Sequence, residues 1–173
     1  MISCLSGKIL QTSTAGVVVD VGGVGFLVHV PAPLRDRLHS GESVFLYTHL
    51  IVRQDALSLY GFDTSEGREF FELLLSVNGI GPKLALNVLS TLNPDTISRA
   101  VFNEQGDILS KVPGVGKKTA QKILLYLQDR LAKVEGLASV LQMSEADTEV
   151  LEALTALGYS VVEAQAALQS LPK

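Results

Sequence analysis

The sequence predicts an α+β chain of several domains: a small β-barrel, a helical domain built on a duplicated helix–turn–helix unit, and a small helical C-terminal domain. Three observations predict this. Residues 1–62 hold short runs rich in β-branched and aromatic residues, with no long helical pattern. One nine-residue pattern then occurs twice, 35 residues apart: Val77-Asn78-Gly79-Ile80-Gly81-Pro82-Lys83-Leu84-Ala85 and Val112-Pro113-Gly114-Val115-Gly116-Lys117-Lys118-Thr119-Ala120. Finally, a helical apolar period returns from Glu145 onward.

In the first domain, strands are expected over Ala15–Val21, Gly25–Val30 and Ser43–Leu50, with Gly22-Gly23 as the turn between the first two. Short strands of this kind close most readily into a small barrel. The segment from Leu50 to Tyr60 reads as a hairpin whose polar tip is Arg53-Gln54-Asp55.

The pattern becomes helical at Asp63, which with Glu66 resembles a capping box. Phe70, Phe71, Leu74, Leu75 and Val77 give the first helix an apolar face. The duplication extends past the glycines: Leu74 matches Leu109, Val88 matches Ile123, Leu89 matches Leu124 and Leu92 matches Leu127. Asn93-Pro94 fits an N-cap followed by proline at the first helical position, opening a connecting helix to about Phe102. The second unit ends near Leu131, and residues 132–144 read as a linker. In the tail, Val150, Leu151, Leu154 and Leu157 form one stripe that Gly158 can end. Ser160 and Glu163 then cap a last helix carrying Ala164, Ala167, Leu168 and Leu171. The exposed corner Leu157-Gly158-Tyr159 suits docking of a partner, or an ordinary helical hairpin.

Each glycine pair flanks one aliphatic residue. Glycine reaches positive φ and admits another backbone closely. Ile80 or Val115 can turn inward as an anchor, leaving the turn amides facing outward beside a helix N-terminus. That is a favoured place for an anion, and phosphate is the natural guest. Lys83 and Lys118 occupy equivalent places and add full charges, while Ala85 and Ala120 let the helices approach. A tight αα-turn without a ligand has the same outline, but two copies in register, each with its lysine, favour the phosphate clamp. Gly116-Lys117 does not make a nucleotide-binding loop. Lys111 stands where that loop needs a glycine, and Lys118 where it needs Ser or Thr.

Composition narrows the function. The chain has 173 residues and 47% hydrophobic content, high for a soluble monomer and a hint of buried subunit contacts. It holds no apolar run of about 18 residues, no recognisable signal peptide and a lone Cys4, so a reducing cytoplasmic setting is expected. His29, His39 and His49 lack metal-ligand spacing, and neither a metal nor another cofactor is expected. The net charge of −4 conceals its distribution. Residues 1–131 carry 12 basic and 12 acidic side chains, whereas 132–173 carry 2 and 6. Around the second turn, Lys111, Lys117, Lys118, Lys122, Arg130 and Lys133 face only Asp129 in sequence. Local charge governs backbone binding, so the second turn is expected to dominate the electrostatic grip.

Together, Val21-Gly22-Gly23-Val24-Gly25, Val52-Arg53-Gln54-Asp55-Ala56, Leu59-Tyr60-Gly61-Phe62 and the twin turns closely resemble the RuvA family over nearly the whole chain. The resemblance implies an oligonucleotide-binding-type (OB-fold-like) barrel over 1–62 and two helix-hairpin-helix motifs over 63–131. It also implies a helical domain over 145–173 that docks the RuvB ATPase. It further implies a flat four-fold homotetramer that holds a four-way (Holliday) junction open. Two tetramers can sandwich one junction as an octamer, and the RuvC resolvase joins the complex. The chain itself would be the non-catalytic, DNA-binding subunit, with the motor in RuvB.

Carried over residue by residue, phosphate binding falls to Gly79, Ile80, Gly81, Lys83, Gly114, Val115, Gly116, Lys117, Lys118 and Lys122. Arg53 would guide the backbone, and Gln54 and Asp55 would form the acidic pin. Leu157, Gly158 and Tyr159 would contact RuvB. Two departures stand out. The family's pin carries Glu then Asp, whereas here Gln54 precedes Asp55, so a tetramer would present four pin carboxylates rather than eight and is expected to repel DNA less. The tail has room for about two helices where the family has three, as in a shortened or truncated member, which weakens the RuvB expectation. Two other classes fit the turns alone: a helix-hairpin-helix DNA-repair enzyme, and a scaffold that binds no DNA.

Overall fold

The computed structural model of the chain describes residues 2–141, 150, 153–157 and 159. The chain divides into two compact units, residues 1–127 and 128–173. The first holds a five-stranded barrel and both glycine turns.

Strands β1 (Cys4–Ser13), β2 (Gly16–Val21), β3 (Val24–His29), β4 (Ser43–Val52) and β5 (Leu57–Phe62) close in the order β1-β2-β3-β5-β4. All pairings are antiparallel except β3 with β5, where Val28 and His29 face Leu59 and Tyr60. The two-residue alternation puts Leu5, Val17, Val19, Val28, Leu46 and Leu59 inside. The short helix α1 (Ala32–Arg35) adds Leu34 to that core.

Strand β1 was not anticipated. Its Ser, Gly, Lys and Gln residues have low strand propensity, and a bulge between Ile9 and Gln11 interrupts its alternation. It forms because it pairs on both sides, with β2 and with β4. The hairpin expected over 50–60 is present as the ends of β4 and β5. Its four-residue loop, Arg53–Ala56, is closed by the Arg53 N–H donating to the Ala56 carbonyl at 2.9 Å.

The helical part runs α2 (Ser65–Leu75), α3 (Pro82–Thr91), α4 (Pro94–Phe102), α5 (Gly106–Ser110) and α6 (Lys117–Leu141). The Asn93 cap appears as expected, its side chain accepting from the Thr96 N–H at 2.8 Å. The Asp63–Glu66 capping box does not form. Thr64, with extended backbone, is the N-cap and accepts from the Gly67 N–H at 3.1 Å. Asp63 instead pairs with Arg37 at 2.7 Å. The expected linker at 132–144 is helical as far as Leu141, because Ala132, Lys133, Glu135, Leu137 and Ala138 are all good helix formers. Residues 142–144 lie outside the described residues, as do Gly158 and the final helix expected from Ser160.

One aromatic seam ties barrel to helices within the first unit. Phe71 of α2 is fully buried. It lies 4.8 Å from the Tyr60 ring, 5.2 Å from Phe62 and 5.8 Å from His49. Beside it, Glu72 stands 3.0 Å from His49 Nδ1 and 3.8 Å from Arg68 Nε.

Candidate nucleic-acid interface

The two glycine turns repeat each other bond for bond. The Ile80 N–H donates to the Val77 carbonyl at 3.0 Å, and the Val115 N–H to Val112 at 2.9 Å. The Ala85 N–H donates to Gly81 at 3.0 Å, and Ala120 to Gly116 at 2.9 Å. Gly79 and Gly114 have φ of 90° and 88°, a left-handed conformation in which a side chain is strained. The equivalent core positions Leu74 and Leu109, Val77 and Val112, Ala85 and Ala120, Val88 and Ile123, and Leu89 and Leu124 are all buried. The sequence duplication is therefore a duplication of structure, although α2 has 11 residues and α5 only 5.

This geometry bears out Ile80 and Val115 as inward anchors and corrects only their place among the phosphate-binding amides. Their side chains are buried, and their amides are already used inside the turns. They anchor; they do not present donors. The outward donors are the N–H groups of Gly79, Gly81, Lys83 and Leu84 in the first turn. In the second they are those of Gly114, Gly116, Lys117, Lys118 and Thr119. None of these makes a hydrogen bond among the described residues, as expected for the first turn of a helix. The first turn also has the Asn78 N–H free where the second has Pro113, and it lacks at Pro82 the donor that Lys117 supplies, so the two copies offer five each.

Gly81 and Gly116 differ from the other pair. Neither has positive φ, and a Cβ on either would meet nothing within 4 Å. Nothing in the chain itself requires glycine there. The missing side chains leave the outward amides open to a close-approaching partner. Gly114, by contrast, is held twice, by its φ and by Leu84 Cδ1, which would lie 3.2 Å from an added Cβ. Leu84 of helix α3 thus lies close against the second turn.

Lys83, Lys117, Lys118 and Lys122 are all exposed, and Lys118 and Lys122 share one face of α6 by their spacing. Lys117 lines a hollow of about 630 Å³ together with Glu104 and Asp107. Lys83 instead lines a cleft of about 520 Å³ with Arg53, His29 and Tyr60, and no carboxylate lines it. Burial raises the Tyr60 hydroxyl pKa, and the nearby Arg53 charge partly opposes that rise. Arg53 thus belongs both to the hairpin tip and to the cleft beside the first turn.

Gln54 and Asp55 are exposed at the tip. Val52 and Leu57, the last cross-strand pair before it, are 68% and 72% exposed, so the arm carries apolar surface out from the barrel. The cleft residues Ile51, Ser58 and His29 had no sequence signal as a site, because only the folded register joins them to Gly81 and Lys83. In the second unit, residues 153–156 are helical, and Leu157 and Tyr159 are exposed. Among the described residues no group of His, Cys, Asp and Glu could hold a metal ion. No helix among them is long and apolar enough to cross a membrane.

Comparison with known proteins gives concordant matches. Residues 1–61 match the family model described as RuvA N terminal domain, and residues 71–129 match SAM-like helix-hairpin-helix tandem. A relative from Symbiobacterium thermophilum is 48% identical over 97% of this chain and 87% of its own length. One from Dehalococcoides mccartyi is 43% identical over 99% of this chain and 89% of its own. One from Methylibium petroleiphilum is 44% identical over 99% and 91%. All three bear the name Holliday junction branch migration complex subunit RuvA.

Proposed function

The chain belongs to the RuvA family, and from that premise we propose that it binds four-way junction DNA by structure rather than sequence. It does so as a homotetramer that holds the junction open and planar, and it recruits the RuvB ATPase for branch migration in recombination and repair. The chain is the non-catalytic, DNA-binding part of that machine and acts in the cytoplasm. RuvC and a second tetramer are further partners on the junction.

The observation that carries this reading is the bond-for-bond duplication of a turn whose free amides and lysine face outward. Phosphate contacts position a duplex without reading bases, which suits a junction that moves through any sequence. Gly79, Gly81 and Lys83 grip one stretch of backbone. Gly114, Gly116, Lys117, Lys118 and Lys122 grip another. Arg53 steers the strand past the tip, where the Asp55 carboxylate repels phosphates and helps part the strands. Leu157, Gly158 and Tyr159 are the proposed RuvB contact.

A gel-shift titration of four-way and linear duplex DNA, with and without RuvB, tests the whole reading. The junction should shift at much lower protein concentration, and RuvB should retard the complex further. Strand cleavage by the purified chain would point to a repair enzyme instead.

A further inference from the structure

We propose that the cleft between the β4–β5 hairpin and the first glycine turn is a subsite for an unpaired nucleotide, released where the hairpin tip parts the strands. The proposal rests on the junction reading above and adds to it a place for the base that has lost its partner.

Three features of the cleft carry the assignment. Its size, about 520 Å³, lies in the range of sites that hold small molecules. Its charge is of one sign, with Arg53 and Lys83 at its wall and no carboxylate lining it. The hollow at the second turn, with Glu104 and Asp107 beside Lys117, is mixed in sign. The remaining surface is apolar and ring-bearing. Ile51 and Ser58 face each other across the hairpin strands, Pro82 and Leu86 come from α3, and the His29 and Tyr60 rings lie 5.2 Å apart. An occupant must therefore join an anion to a flat, largely apolar body, and a nucleotide is that combination.

The surroundings fix how it would lie. The Gly81 N–H is open and Lys83 is exposed, so a phosphate at the first turn sets its own base beside the cleft. The His29 ring is held by a 2.6 Å contact from Nδ1 to the Ala15 carbonyl, and Tyr60 is backed by Phe71 at 4.8 Å. Each ring thus has a contact that holds it in place without a ligand. The Arg53 guanidinium can meet polar edges of a base, and its plane can stack on it. Stacking of this kind accepts any base, because every base has a π-face. Unpaired bases are commonly received on aromatic rings or guanidinium planes.

The test places one 2-aminopurine at the crossover of a synthetic four-way junction and measures acrylamide quenching of its fluorescence in the complex. The unaltered chain is compared with Ser58→Tyr and Leu86→Phe, which fill the cleft from opposite walls and leave the phosphate-gripping residues in place. The probe base should be quenched at least threefold less in the unaltered complex than in either variant complex, with junction affinity changed less than about twofold. If one variant fails to fold, the other gives the comparison. The unaltered complex also stands alone against a single-stranded oligonucleotide carrying the same probe. Quenching as strong as in that oligonucleotide, on a junction that is bound, overturns the subsite and leaves the junction reading intact. A chain that shifts no junction overturns both.

Discussion

Phe71 of α2 stacks on Tyr60 of β5 with ring centroids 4.8 Å apart and planes inclined by 28°. The hairpin tip stands five residues before Tyr60 in sequence, at Asp55, and the first glycine turn begins five residues after Phe71, at Ser76. This contact therefore belongs to the seam that joins the two elements proposed to meet the same DNA. Phe71→Ala should destabilise the chain by about 3–5 kcal/mol, as for other buried aromatic deletions. Urea unfolding measures it. A loss below about 1 kcal/mol would show that the seam is not what joins barrel to helices.

Gly81→Ala and Gly116→Ala should separate binding from folding. Both positions have ordinary backbone angles and empty space around them, so thermal stability should hardly move. Junction affinity should fall about tenfold or more, because a methyl group stands where a phosphate must come in. Gly114→Ala should lose both, since its φ of 88° strains any side chain, at a cost of roughly 1–3 kcal/mol. Calorimetry and gel shift on the same preparations decide it. Unchanged binding by the Gly81 and Gly116 variants would remove these turns from the interface.

Lys83→Ala and Lys118→Ala should weaken junction binding to a similar degree, within about threefold of each other. The count of charges in the sequence favours the second turn, but Glu104 and Asp107 line one hollow with Lys117, whereas Lys83 shares its cleft with Arg53 and no carboxylate. If a tetramer neutralises about eight phosphates, removing one lysine per protomer should cut the slope of log K against log salt from about −7 to about −4. Affinities measured from low to moderate salt give that slope, and an unchanged slope for either variant would exclude its lysine from phosphate contact.

The tip gives a third handle. Gln54→Glu restores a second carboxylate and should weaken junction binding while sharpening strand separation, and Asp55→Asn should do the reverse. Both residues are exposed and make no hydrogen bond to the rest of the described chain, so stability should stay put. If affinity and branch-migration rate are indifferent to both substitutions, the tip does not reach the junction centre.

The helical half was the more legible part of the sequence, for a physical reason. Its signals are local: Asn93-Pro94 caps its helix within four residues, and each glycine turn is complete in a handful of positions. The barrel depends on pairing across the chain. Strand β1 carries weak strand formers and a bulge, and it exists because β2 and β4 flank it. Thr64 is the cap in place of Asp63, whose carboxylate pairs with Arg37, 26 residues away. The interface divides the same way. The turn glycines and lysines could be read from spacing, but the internal use of the Ile80 and Val115 amides could not. Nor could the meeting of Arg53 and Lys83 around one cleft, since both emerge only from folded geometry.

The central claim is that the twin turns grip the arms of a four-way junction, and a competition experiment tests it most directly. Labelled four-way junction is bound by the chain and challenged with unlabelled junction or with linear duplex of equal total length, at several salt concentrations. The account predicts that linear duplex competes at least tenfold less well, with a salt slope near −7 for the junction. Equal competition by the two DNAs, or a slope near zero, would contradict it.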